Sequence, residues 1–139
     1  MASSTDSTVA ALEQVPLLAE LSKRDRRRLA QTMTDRTYAP GKQVVVEGRG
    51  GIGFFIIVEG RAVVSVGDRV IRALGPGDYF GEMAMLDGDA RTATVTADTE
   101  LHCLGVTAWN FKRFVTDNPS VAWALLQTLA ERLREATAR

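Results

Sequence analysis

The sequence predicts a mainly β domain with flanking helices, an antiparallel barrel or jelly roll held between helical ends. Three observations predict it. Short apolar runs crowd the middle of the chain, with Gly, Pro and Asp at the breaks. Both ends instead carry apolar residues at helical spacing. The length, 139 residues, and the hydrophobic content, 45%, suit one domain with its own core.

The elements follow in order. Residues 1–8, "MASSTDST", read as a flexible tail. A single domain is expected over 9–139, helical over 9–34, β over 37–106, and helical again over 107–138. Val15-Pro16 splits the first helical stretch. Ser22 is placed to cap the next helix, with Asp25 in its first turn and Leu29, Ala30 and Met33 on its apolar face. The strand candidates are "KQVVV", "FFIIVE", "RAVVSV", "RVIRAL", "DYF", "TATVTA" and "ELHCLGV", with a tight hairpin through Gly67-Asp68. "TAWNFKRFVTDN" is helical and stops at Pro119. The longest helix follows, with Leu126, Leu129, Leu133 and Ala136 as a seam and Val121 and Leu125 towards another face.

Composition excludes several functions. Seventeen basic residues cancel seventeen acidic ones, so nothing draws the chain generally to nucleic acid or an anionic membrane. The basic cluster "KRDRRR", Lys23 to Arg28, reads as the solvated face of a helix: Asp25 interrupts it and no aromatic platform lies near. One cysteine, Cys103, forbids an internal disulfide and reads as a small buried apolar residue. One histidine, His102, forbids a multi-histidine metal site, and the pair diverges because adjacent strand residues face opposite ways. No apolar run approaches a membrane span and no signal peptide is evident, so the expected location is cytoplasmic. "GRGGIG" fits G-x-G-x-x-G through Gly48, Gly50 and Gly53, but a strand pattern follows where a dinucleotide site needs a helix. With no metal set, positioned base or activated nucleophile, no enzyme and no cofactor are expected.

The chemistry concentrates in "FGEMAMLDGDARTATV", Phe80 to Val95. The pattern is strand, short helix, turn, strand. The first turn of the helix offers unpaired N–H groups to an anion, and small Gly81 and Ala84 allow close approach. Arg91 supplies a guanidinium for phosphate oxygens. One arginine and one helix end suit a single compact negative charge. Glu82, beside that anion, makes sense if it accepts bonds from a neutral donor such as a ribose hydroxyl. Thr92 offers a backbone N–H and a hydroxyl to phosphate or base.

The ordered set Phe80, Gly81, Glu82, Ala84, Arg91, Thr92, Ala93 and Val95 resembles the phosphate-binding cassette of cyclic nucleotide-binding domains, of the catabolite activator and protein kinase A regulatory-subunit type. "VPLLAELS", "GRGGIGFFIIVEGRAVV" and "LGPGDYFGE" extend the resemblance over roughly residues 12 to 135. It implies an antiparallel β-jelly-roll barrel with N-terminal helices and two C-terminal helices, binding cyclic AMP or cyclic GMP. Arg91 then takes the cyclic phosphate and Glu82 the ribose 2′-hydroxyl, within a ligand-facing set of Gly81, Glu82, Met83, Ala84, Arg91, Thr92 and Ala93. Thr92 is compatible with either base, and analogy favours cyclic AMP.

The expected role is a sensor whose last helix moves on binding, with Trp123, Leu129 and Arg132 as candidate lid or base contacts. Packing is the plainer role for Trp123 and Leu129, and solvent exposure for Arg132. An effector protein or domain is implied, and the chain is either a stand-alone sensor or a piece of a longer protein. The leucine seam serves a homodimer or packs on the barrel. The alternative function is a degenerate domain that binds no nucleotide and acts as a protein-interaction module.

Overall fold

The computed structural model describes residues 4–45, 53–81 and 93–138. Helix α1 (Ser4–Leu12), a 3₁₀ turn (Pro16–Leu18) and α2 (Lys23–Thr32) lead into the strands. These are β1 (Thr34–Tyr38), β2 (Gln43–Val45), β3 (Phe54–Glu59), β4 (Ala62–Val66), β5 (Arg69–Leu74), β6 (Tyr79–Phe80), β7 (Thr94–Ala97) and β8 (Leu101–Val106). Helices α3 (Ala108–Asp117) and α4 (Pro119–Thr137) close the chain.

The strands form two four-stranded sheets, ordered β1-β8-β3-β6 and β2-β7-β4-β5, with every pairing antiparallel. Among the described residues the sheets do not join into a closed barrel; they face each other as a jelly-roll sandwich. Strands β3, β6 and β8 of the first sheet are covered on both faces, and side-chain alternation divides them between two cores. Phe54, Ile56, Tyr79, Leu104 and Val106 point to the helices, where Leu12, Leu18, Leu29, Phe111, Val121 and Leu125 meet them. Ile57, Phe80, Leu101 and Cys103 point inward against Val45, Ala62, Leu74, Val95 and Ala97 of the second sheet. Double burial explains why "FFIIVE" is continuously apolar instead of alternating.

The local signals act as the sequence suggests at most joints. The Ser22 hydroxyl accepts from the Asp25 amide at 3.1 Å, and Thr107 does the same for Asn110 at 3.2 Å. The hairpin closes with Val66 opposite Arg69. Between β3 and β4, Gly60 has φ +90°, and a Cβ there would stand 2.1 Å from the Glu100 carbonyl oxygen. Only glycine fits that close approach.

Three expectations are corrected, and the two readings left open for the α4 seam are separated. Helix α1 begins at Ser4, inside the stretch assigned to a tail, because Thr8 and Val9 are buried and Asp6 pairs with Arg27 at 2.8 Å. Strand β1, Thr34–Tyr38, precedes the first strand candidate "KQVVV" and starts at the end of the stretch expected to be helical; its side chains are mostly exposed, so it lacks the apolar signature of a strand. The basic run is not wholly solvated: Arg26 Nη2 donates to the carbonyls of Leu21 at 3.2 Å and Leu18 at 3.4 Å. In α4, Val121 and Leu125 face the core, whereas Leu126 (58% exposed) and Leu133 (68%) of the expected seam face outward. Pro119 does end one helix, but it also begins the next, where its fixed φ suits the first turn.

Candidate functional site

Strand β6 fixes one end of the candidate site. Its two residues are gripped from both sides of the sheet. Phe80 stacks on Phe55 at 5.1 Å in the inner core, and Tyr79 lies 5.4 Å from Phe54 in the helical core. Gly81 follows at once with φ +97°, a conformation that glycine adopts without strain. The chain leaves β6 on the outer end of one sheet and re-enters the other at β7, next to Ala93. There Val95 is buried, with β7 held between β2 and β4. Gly81 and Ala93 are thus half-buried termini of a connection that crosses between two packed sheets. Glu82, Met83, Ala84, Arg91 and Thr92 lie outside the described residues.

The three residues expected on the last helix part company. Trp123 is 65% exposed and packs on neither core. Leu129 is half-buried. Arg132 is half-buried too, and not solvated as its type suggests: its guanidinium sits over the Tyr79 ring, 5.7 Å from the centroid. It therefore contacts the strand that leads into Gly81. One turn further on, Glu135 reaches Arg72 of β5, at 3.7 Å. Sequence reasoning missed Tyr79, Arg72 and Glu135. Tyr79 carried a signal, standing two residues before Gly81, but nothing local pairs a helix residue with β5.

The other candidate groups are accounted for by packing. Cys103 is fully buried and burial pushes its thiol up to about 12, so it is an inert core residue. His102 points the other way, its Nε2 at 2.5 Å from Asp35 Oδ1 on β1. A cleft of about 430 Å³ opens between α2 and α3, lined by Asp25, Arg28, Arg113 and Asp117 over Leu29 and Phe114. It brings both signs of charge together and contains none of the expected ligand residues. No described helix is long and apolar enough to cross a membrane.

A mainly antiparallel jelly roll with helices at both ends, and a two-sheet connection opened by Gly81, defines the class. The family model described as cyclic nucleotide-binding domain matches residues 35–118. The chain belongs to that family. It is 42% identical over 105 residues to a cAMP-dependent protein kinase regulatory subunit from Eremothecium gossypii, covering 75% of this chain and 23% of that protein. Among solved structures, cAMP-bound PfPKA-R superposes with a TM-score of 0.86 at 28% identity, covering 95% of this chain and 45% of that one. The Thermus thermophilus catabolite activator protein gives 0.81 at 28% identity, covering 88% and 60%. The chain spans about a quarter to a third of the length of the curated relatives it matches.

Proposed function

We propose that this chain is a non-catalytic regulatory module that binds cyclic AMP, and cyclic GMP more weakly, and signals through its C-terminal helix. The observation that carries the proposal is the cassette sequence itself. Gly81, Glu82, Arg91 and Thr92 stand in order inside the segment that matches the family. The similarity to cAMP-bound PfPKA-R, at a TM-score of 0.86, supports the choice of base.

The roles follow from charge. A cyclic phosphate carries one negative charge, which Arg91 neutralises with paired N–H donors. Backbone N–H groups of Ala84 and Thr92 add neutral donors to the same oxygens. Glu82 accepts from the ribose 2′-hydroxyl, with the Gly81 backbone beside it. Met83 and Ala93 line the remainder of the cradle. Binding is transmitted by α4 to an effector protein or domain, and the shift is limited by the ligand's differential affinity for the two helix positions.

A homodimer through α4 is the second reading, and one observation favours it. Trp123, Leu126 and Leu133 form an exposed apolar stripe on the side of the helix away from buried Val121 and Leu125. Isothermal titration of the purified chain with each cyclic nucleotide tests the function. Saturable binding of cyclic AMP, tighter than cyclic GMP, is expected. Absence of binding to both would leave the protein-interaction module as the function.

A further inference from the structure

The layout of the cleft between α2 and α3 follows from the strands that join them. Thr34 of β1 stands opposite Gly105 of β8, so the end of α2 and the start of α3 meet at one end of a strand pair. From there α2 runs back along the cleft while α3 runs forward, and the lining residues fall in opposite chain order. Thr32 then stands across from Asn110, Arg28 across from Arg113, and Asp25 across from Asp117, with about one helical turn between successive levels. Leu29 and Phe114 form the apolar floor.

Like charge therefore faces like charge. A cleft built only to hold the two helices together would set acid against base. Among the described residues none of the four charged side chains has an ion pair, whereas Arg27, next to Arg28, pairs with Asp6. An anion between the two guanidiniums and a cation between the two carboxylates would satisfy all four. The volume, about 430 Å³, takes in side chains and not a whole helix. Trp109 adds an anchor at the rim: it is 75% exposed and stands one turn before Arg113 on the same side of α3.

We propose that this cleft docks a helix of a partner protein, one whose apolar stripe is flanked by an acidic and a basic side chain one turn apart. The acidic side chain lies between Arg28 and Arg113 and the basic one between Asp25 and Asp117, while the apolar stripe covers Leu29, Phe114 and Trp109. The spacing selects a helix, because the walls change sign after about 5.4 Å, the pitch at which a helix repeats. Docking there needs no nucleotide, since the cleft contains none of the cassette residues.

The test uses three labelled helical peptides that share one leucine stripe and carry Glu and Lys, two Glu, or two Lys at the flanking positions. Fluorescence anisotropy with the full chain, without nucleotide, reads each Kd. The Glu–Lys peptide should bind roughly fivefold or more tightly than either like-charged peptide. Trp109→Ala should raise its Kd about tenfold. In Arg28→Glu/Arg113→Glu, whose exposed positions leave the core untouched, the cleft is acidic at both levels, and the two-Lys peptide should become the tightest of the three. No binding by the parent, equal affinity for all three peptides, or an unchanged order in the double variant would overturn the proposal. Sedimentation of the parent checks the rival occupant. Self-association that Arg28→Glu/Arg113→Glu abolishes would assign the cleft to a second copy and refute the partner helix.

Discussion

Adjacent residues on α4 offer a direct test of which face of that helix meets the core. Leu125 is 2% exposed and Leu126 is 58% exposed. Leu125→Ala removes three carbons from a filled site. At about 0.8 kcal/mol per buried methylene, roughly 2.4 kcal/mol of transfer energy is lost. The cavity left against Val121, Phe111 and Leu18 adds to that, for a total of about 3 kcal/mol within the usual range of about 2–5. Leu126→Ala removes the same atoms from a side chain already in water and should cost less than about 0.5 kcal/mol. The assay is urea unfolding followed by circular dichroism at low micromolar protein. With a slope of about 2 kcal/mol per molar, Leu125→Ala should lower the midpoint by about 1.5 M and Leu126→Ala by about 0.25 M or less. Equal midpoints for the two variants would refute the assignment of faces.

Four further outcomes follow from the packing. Gly60→Ala should destabilise by about 3 kcal/mol or more, read from the same unfolding curves, because its Cβ would meet the Glu100 carbonyl oxygen at 2.1 Å; a cost below about 1 kcal/mol would show that the turn can open. Cys103 should resist alkylation in the native protein at pH 8 and react on unfolding, because burial raises the thiol from 9.0 to about 12. The sign follows from linkage: the folded chain holds that proton where the unfolded chain releases it, so stability falls from pH 9.0 to about 12, and the fall should be smaller in Cys103→Ala. For the α4 dimer, sedimentation of the parent should show a concentration-dependent mass that Leu126→Glu/Leu133→Glu abolishes, while a monomer at all concentrations would exclude it.

Legibility in the sequence depended on how many faces an element buries. The run Phe54–Glu59 was recognisable as strand because both faces are covered and nearly every residue is apolar. Strand β1 was partly missed because its side chains are mostly exposed and only its pairing with β8 makes it a strand. Helix α4 posed the opposite problem. It carries apolar residues on two sides, so spacing alone could not tell the core face of Val121 and Leu125 from the outward stripe of Leu126 and Leu133. At the candidate site the residue types and order in Glu82–Thr92 were the whole signal, and that segment lies outside the described residues. The structure contributes the frame, Phe80-Gly81 at one end and Ala93-Thr94 at the other. It also contributes Arg72, Tyr79 and Glu135, whose contacts with α4 or its residues join parts of the chain with no local pattern in common.

Titration of the parent and Arg91→Ala with cyclic AMP, heat measured directly, goes to the centre of the account. A guanidinium that neutralises the cyclic phosphate is worth about 2–5 kcal/mol, so its loss should raise Kd about thirtyfold or more, with Arg91→Lys falling between. An Arg91→Ala protein that remains folded and binds cyclic AMP with the parental Kd would contradict it.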